Sequence, residues 1–261
     1  MKQYLYAYHT IVSFNQPVTH HDILLRCQPL NGSYMRIVQE SFILSPGFSV
    51  SHGRDAFGNR IVYGAQRDAH ITLAYVSTGV LEIQPYVRRD EGPVPAVYAV
   101  PTPLTSLTSE QTAQWFEVHP AAGMPSDVVE LADELCHLVY AMMEYRPYST
   151  TINTPASEIC LLRQGVCQDY AHWMIALCRI HGLPARYVCG FVEGTGETHA
   201  WVEVYDGYRW VGWDPTHNCR IEYGYVAIAH GRDASDCAVS RGLYRGMAQE
   251  QTQINVILKE L

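Results

Sequence analysis

The stretch Arg163-Gln-Gly-Val-Cys167-Gln-Asp-Tyr170 leads a cysteine into a helix. Downstream stand Thr198-His199-Ala-Trp201 and then Trp213-Asp214-Pro-Thr216. A cysteine, a histidine and an aspartate can supply a thiolate nucleophile, a base that moves its proton and a carboxylate that orients the base. The three stretches therefore predict a nucleophilic site made of Cys167, His199 and Asp214.

The helix predicted after this cysteine spans residues 167–180. Its apolar residues recur at helical spacing, and Gly182 and Pro184 follow as stop signals. Cys167 lies in the first turn, where the helix dipole and free N–H groups favour a thiolate. The N–H of Cys167 can also bind a developing oxyanion. The alternative is that a cysteine is a small buried hydrophobe, which is how we interpret Cys136 and Cys178 inside their apolar patterns.

Two strand-like runs carry the histidine and the aspartate. Residues 199–205 and 208–213 are rich in Trp, Val and Tyr, and Asp206-Gly207 between them is a strong hairpin signal. With a two-residue turn, His199 and Asp214 face each other on one side of the hairpin, with Cβ atoms roughly 5 Å apart. A longer loop or a bulge would change this pairing. The alternative for His199 is an ordinary core or surface histidine.

These motifs resemble the bacterial transglutaminase-like superfamily, a branch of the papain-like cysteine enzymes. The segments that carry the resemblance are Gly165-Val-Cys-Gln-Asp-Tyr-Ala-His172, Gly182-Leu-Pro-Ala-Arg-Tyr-Val188, His199-Ala-Trp-Val-Glu-Val204 and Asp214-Pro-Thr216. Weaker similarity covers residues 230–242, as the end of the family's catalytic domain, and residues 4–59, as its amino-terminal β domain. The short hairpin and the cysteines at 189, 219 and 237 depart from the family pattern.

The resemblance implies roles for particular residues. Cys167 corresponds to the nucleophile, His199 to its base and Asp214 to the residue that orients the base. Tyr145, in a stretch that resembles the family, is a candidate side-chain donor to the oxyanion beside the Cys167 N–H, and simple packing is the alternative.

The composition and net charge of the chain argue against some classes of function. The 261 residues are 48% hydrophobic and 17% charged, with a formal net charge of −8. A negative charge without a basic cluster argues against nucleic acid and anionic membranes as partners. No secretory signal pattern or membrane-length apolar run is visible, so we expect a cytoplasmic protein with mostly reduced cysteines. No Cys-x-x-Cys or helical His pair indicates a metal, and no cofactor is expected.

The order of elements predicts an α+β fold. Short alternating runs over residues 4–83 predict an antiparallel β-sandwich of about six or seven strands. Residues 84–103 hold five prolines, at positions 85, 93, 95, 101 and 103, and read as a linker. We therefore expect an amino-terminal β domain over 1–105 and a papain-like, transglutaminase-like α+β catalytic domain over 106–261, with its last strands at 221–229 and 253–259.

The expected reaction is acyl transfer through a Cys167 thioester. Water would release the acid, as in a peptidase or amidase, whereas an amine would capture the acyl group, as in a transglutaminase. Hydrolysis of a peptide, protein or small amide is favoured because no feature of the sequence indicates a site that admits amines and excludes water. A non-catalytic binding or scaffold module of the same fold is the alternative from another class. The sequence gives no indication of oligomeric state.

Overall fold

The amino-terminal part of the chain is built from long antiparallel strands. The computed structural model describes residues 1–89 and 94–261. The first strands are β1 (Lys2–Leu25), β2 (Met35–Ser45), β3 (Ser49–Arg54), β4 (Arg60–Gln66), β5 (His70–Ile83) and β6 (Val87–Arg88).

The helices follow in the middle of the chain. This part contains α1 (Ser109–Val118), α2 (Val128–Met142), β7 (Glu144–Tyr145), α3 (Ala156–Leu162), β8 (Gln164–Gly165) and α4 (Cys167–Ile180). The remaining strands are β9 (Ala185–Val192), β10 (Gly194–Gly196), β11 (His199–Tyr205), β12 (Trp210–Asp214), β13 (Cys219–Arg220), β14 (Tyr225–Gly231), β15 (Ser240–Arg245) and β16 (Glu250–Glu260).

The long strand β1 serves both layers of the first sheet. Its first half pairs with β5 from Lys2 to Ser13, and its second half pairs with β4 from His21 to Leu25. The register shifts between Ser13 and Val18, and the two halves of the strand pair with different partners. The Phe14 ring packs edge-on against Tyr244 of β15, with ring centroids 5.0 Å apart.

The carboxyl-terminal strands complete this first sheet. The strand expected over 253–259 in the catalytic domain is β16, and it pairs with β1 from Phe14 to Tyr4. Its hydrogen-bonding partner thus lies at the other end of the chain, in the sheet of the amino-terminal part. The sheet has eight strands among the described residues, including β15 and β10. The division of the chain at 105/106 stays a prediction.

The second sheet carries the candidate site. Its order is β13-β12-β11-β9-β14, and α4 packs against β11, β9 and α2. The stretch expected to be a linker contributes β6, which pairs with β12, while Pro93 lies outside the described residues. Helices on an antiparallel sheet after an amino-terminal β region confirm the predicted α+β fold class.

Candidate active site

Helix α4 begins at Cys167, as the sequence predicted, and its entry is fixed by a buried carboxylate. Asp169 Oδ2 accepts hydrogen bonds from the Val166 N–H and the Thr150 hydroxyl, both at 2.7 Å. A Cβ added at Gly165 would lie 2.4 Å from that oxygen, so only glycine allows the approach. Two segments are thereby tied to the first turn of α4, which holds the partly exposed Cys167 in place.

The first amides of α4 are available to an anion. Val166 precedes the helix in an extended conformation and has no side-chain oxygen that could cap it. Asp169 and Tyr170 donate their N–H groups to the Val166 carbonyl oxygen, at 2.8 and 3.2 Å. The N–H groups of Cys167 and Gln168 precede these bonds, and the first amides of a helix lack partners within it. They are positioned to bind an oxyanion formed beside Cys167.

His199, the first residue of β11, links Cys167 to Asp214. Its Nε2 donates to Asp214 Oδ2 at 2.7 Å. Nδ1 is therefore the ring nitrogen that can interact with the Cys167 thiol. Burial would lower the pKa of His199, but hydrogen bonds with Asp214 and Cys167 outweigh burial and raise it to about 10. The imidazole is thus held in its charged form beside the cysteine.

The hairpin register differs from the prediction. Tyr205 pairs with Trp210 and Val202 with Trp213, so the loop has four residues, 206–209. The Asp206 carboxylate accepts from the N–H groups of Tyr208 and Arg209, both at 2.9 Å, and this closes the longer turn.

The expected facing pair of His199 and Asp214 is therefore wrong, but their shared face is right. Continuing the observed register puts Asp214 opposite Trp201, two residues along β11 from His199. A shift of two residues keeps side chains on the same face, whereas a shift of one would invert them. The two side chains meet diagonally and still form the 2.7 Å bond.

Asp214 is a buried hub with more partners than the sequence indicated. Its Oδ2 also accepts from His217 Nδ1 at 2.7 Å and from the Tyr225 hydroxyl at 2.8 Å. Its Oδ1 accepts from the Thr216 and His217 N–H groups, at 2.8 and 3.2 Å. Burial would raise the pKa of Asp214, but the hydrogen bonds and charges of His199 and His217 bring it well below its usual range.

Sequence reasoning missed two groups of supporting residues. His217 and Tyr225 bind the orienting carboxylate, and Thr150 and Asp169 fasten the entry to α4. A signal existed for His217, because it follows Asp214 by three residues in a turn-forming stretch. Tyr225 lies on β14, beyond β13, and only the folded sheet brings it to Asp214.

A cleft of about 630 Å³ opens over Cys167 and His199. One wall comes from residues 192–198, including Glu193 and Glu197. The other includes Tyr145 and Tyr148. Tyr145, the predicted oxyanion donor, is about half exposed. Its pKa is raised by burial and by the charges of Cys167 and Glu197. It therefore stands near the nucleophile, and its donor role stays a prediction.

One group among residues 1–89 and 94–261 has the spacing that a metal ion needs. His199, Asp214 and His217 bring one ligand-type atom each to within 4.8 Å of one another. Both ring nitrogens lie 2.7 Å from the same carboxylate oxygen, which is the length of a charge-assisted hydrogen bond. We therefore describe the group as a hydrogen-bond network.

Of the remaining cysteines, Cys219 reaches this network, since its Sγ lies 3.9 Å from the Tyr225 hydroxyl. All eight thiols of the chain are unpaired. Burial raises the pKa of the Cys136, Cys178 and Cys189 thiols, to about 12 for Cys178 and Cys189, so they stay protonated. Within the described part of the chain, no helix is both long and apolar enough to cross a membrane.

Comparison with protein families gives two matches. Residues 118–215 match the sequence model of the transglutaminase-like superfamily, a range that contains Cys167, His199 and Asp214. Residues 4–82 match the bacterial transglutaminase-like N-terminal region.

Individual proteins resemble the chain over most of its length. An uncharacterized protein of Mycobacterium tuberculosis is 28% identical over 263 residues, which cover 82% of this chain and 79% of that protein. A candidate cysteine protease from Cytophaga hutchinsonii, solved by crystallography, has a TM-score of 0.79 at 25% identity, covering 100% of this chain and 92% of that one. A protein-glutamine gamma-glutamyltransferase of Pseudomonas aeruginosa is 28% identical over 183 residues, 56% of this chain and 27% of that protein.

Proposed function

Because the chain belongs to the transglutaminase-like superfamily, we propose that it is a cysteine-dependent acyl-transfer enzyme that hydrolyses a peptide or amide bond. The observation that carries the proposal is His199 itself. This imidazole has a pKa near 10, bonds Asp214 through Nε2 and interacts with the Cys167 thiol. A charged imidazole beside a cysteine is the arrangement that sustains a thiolate nucleophile.

The first half of the reaction forms a thioester. In the resting ion pair the Cys167 proton is held on His199 Nδ1, and the thiolate attacks the acyl carbon of the substrate. The oxyanion that results is held by the Cys167 and Gln168 N–H groups, with Tyr145 as the proposed side-chain donor. The carbon–nitrogen bond then breaks, His199 gives its proton to the leaving amine, and the acyl group stays on sulfur.

The second half releases the acyl group. Neutral His199 takes a proton from water, the hydroxide attacks the thioester, and the carboxylic acid leaves as Cys167 regains its thiolate. Asp214 holds the ring throughout and stabilises each imidazolium state. The partly exposed Cys167 and the open cleft support hydrolysis, since water reaches the thioester.

Transfer to an amine is the second candidate. The similarity to a protein-glutamine gamma-glutamyltransferase favours it, and the acyl-enzyme step is the same. The likeness to a candidate cysteine protease favours hydrolysis. The two differ only in whether water or an amine attacks the thioester, so added amine is the variable that separates them.

The test is a screen of purified protein against peptides and small amides, with and without added primary amine. We expect acid product in both conditions, with none from Cys167→Ala. Amide product that replaces the acid would establish transfer instead. A binding or scaffold module would give neither product, and its Cys167 would react with iodoacetamide no faster than Cys160, which is also partly exposed.

We also propose a cytoplasmic location. The eight unpaired thiols support it, because reducing compartments keep cysteines in this state. Protein alkylated during extraction should carry eight labels per chain. Two or more disulfides would argue for an oxidising compartment.

A further inference from the structure

Strand β10 ends the eight-stranded sheet at the candidate active site. Its three residues pair with β16, with Gly194 opposite Leu258 and Gly196 opposite Val256. Among the strands that the structure describes, none pairs with its other side. The strand is thus an open edge, and an open edge can accept a further strand.

The backbone of β10 is accessible on that edge. In an antiparallel ladder the N–H and C=O of a residue point to the same side, and this side alternates along the strand. One or two of the three residues therefore direct both groups away from β16. All three are exposed, and a Cβ built on Gly194 or Gly196 would meet nothing within 4 Å. Because both residues are glycines, no side chain stands beside the backbone at these two positions.

The same segment forms a wall of the catalytic cleft. Thr195 and Gly196 line the cleft together with Cys167, and three residues after Gly196 the chain reaches His199. A strand laid along β10 would therefore lead directly to the nucleophile. The facing wall offers two aromatic rings, Tyr145 and the fully exposed Tyr148, against which side chains of such a strand can pack.

We propose that the substrate is an extended polypeptide, which adds to β10 as a further strand of the sheet and so delivers its scissile bond to Cys167. This deepens the proposed function and rests on it. Main-chain hydrogen bonds to the edge supply affinity, and alternate side chains supply specificity. The sheet that continues from β10 through β16 into β1 thereby takes part in substrate binding.

The test uses probes that react with Cys167 whatever the later fate of a thioester. The probes are acetyl-oligoalanine chloromethyl ketones with one to four alanines, and iodoacetamide is the reference without a peptide. The second-order rate constant at Cys167 is measured by intact mass. For the wild type we expect it to rise on the order of tenfold from one to four alanines, as two main-chain hydrogen bonds are gained.

The variant Gly196→Val tests the edge itself. Space around Gly196 is open and its backbone is not in the left-handed region, so valine fits the fold, and its branched side chain occupies part of the cleft that the added strand would fill. We expect the gain with probe length to disappear, with the iodoacetamide rate of the same variant as its reference.

A matched control lies on the opposite edge of the same sheet. Gly53 is an exposed residue of β3, and a Cβ there makes only an ordinary contact of 3.6 Å with Ile61. Gly53→Val should keep the full gain with probe length. N-methylation of the four-alanine probe adds a second readout: rates should fall at alternate positions only, because a β-strand uses alternate N–H groups for one edge.

The outcomes separate the two proposals. Rates that do not depend on probe length, or a Gly196→Val variant that keeps the gain, overturn the edge-strand proposal while Cys167 labelling still stands. Loss at every N-methylated position also overturns it. If neither iodoacetamide nor the peptide probes prefer Cys167 over Cys160, the nucleophile is wrong, and the edge-strand proposal falls with it.

Discussion

Two histidine pairs in this molecule have similar geometry and opposite electrostatics. His199 and His217 stack with ring centroids 5.0 Å apart, and His21 and His70 in the first sheet stack at 5.3 Å. The pKa of His199 is raised to about 10, whereas burial and the charge of His70 lower the pKa of His21 to about 4. Ring stacking therefore does not determine whether an imidazole of the pair is charged.

The difference lies in what the rings bond. Both rings of the first pair donate to the Asp214 carboxylate. In the second pair, His70 Nδ1 donates to the backbone oxygen of Asp68, and its Nε2 shares a hydrogen bond of 3.1 Å with His21 Nδ1. Within the described residues neither ring of that pair bonds a carboxylate, and Phe14, Phe48 and Tyr244 surround His21. A hydrogen bond to a buried carboxylate stabilises the charged form of the His199 imidazole, and this cation can in turn stabilise a thiolate.

The largest expected effect comes from removing the thiol that faces this cation. Cys167→Ala should lower turnover at least roughly a thousandfold, because the nucleophile is lost. The melting temperature should stay near that of the wild type, since a partly exposed side chain contributes little packing. Cys160→Ala is the matched control and should keep full activity. If Cys167→Ala retained a tenth of wild-type turnover, Cys167 would not be the nucleophile.

The second effect tests the carboxylate directly. Asp214→Asn should lower turnover at least roughly a hundredfold, because the charge that favours the imidazolium is gone. Burial and the interaction with Cys167 then remain, so the pKa of His199 should fall from about 10. NMR titration of the ring measures this, and the alkaline limit of activity should move to lower pH with it. An unchanged titration would show that Asp214 does not set the charge of His199.

Local signals in the sequence were enough to place the elements that carry Cys167, His199 and Asp214. The glycine before Cys167, the helix stop at Gly182 and the strand pattern at 199–205 each depend on neighbours a few residues away. The predicted register, with His199 directly opposite Asp214, was wrong because the Asp206 carboxylate stabilises a four-residue turn, which a dipeptide signal does not reveal. The prediction that both side chains share one face of the sheet was correct, because the observed register differs by two residues and an even shift keeps side chains on the same face.

Long-range pairing could not be predicted in the same way. The pairing of β1 with β16 joins residues at opposite ends of the chain, and the third strand of the first sheet, Ser49–Arg54, is exposed along its whole length and lacks the alternating pattern. Tyr225 reaches Asp214 only through sheet order. These features are set by which edges meet in the folded molecule, and no local pattern encodes that.

The third effect concerns His21, the buried histidine of the first sheet. Because the pKa of His21 is lowered in the folded protein, its contribution to stability is present above about pH 6.5 and is lost as pH falls toward 4. The loss at pH 5 should be about 1–2 kcal/mol. In His21→Gln the change in urea stability between pH 7.5 and 5 should shrink by that amount. His9→Gln, at an exposed position of β1, is the control. If the stability of the wild type did not fall over this range, the pKa of His21 would not be lowered in the folded protein.

The smallest effect asks what the second histidine at Asp214 contributes. His217 remains half exposed and donates through Nδ1 to the oxygen that His199 also uses. Since Tyr225 and two backbone N–H groups still hold the carboxylate, His217→Ala should lower kcat/KM only about fivefold, the value of one net hydrogen bond.

His217→Gln separates positioning from simple bulk, because its amide can still donate to Asp214. It should recover most of the loss, and the alkaline limit of its pH profile should match the wild type. His137→Ala is the control, since His137 contacts Asn218 of the same turn and not Asp214. If His217→Ala matched the wild type at every pH, the stacked ring would be a passive neighbour, and the contrast between the two histidine pairs would rest on Asp214 and His199 alone.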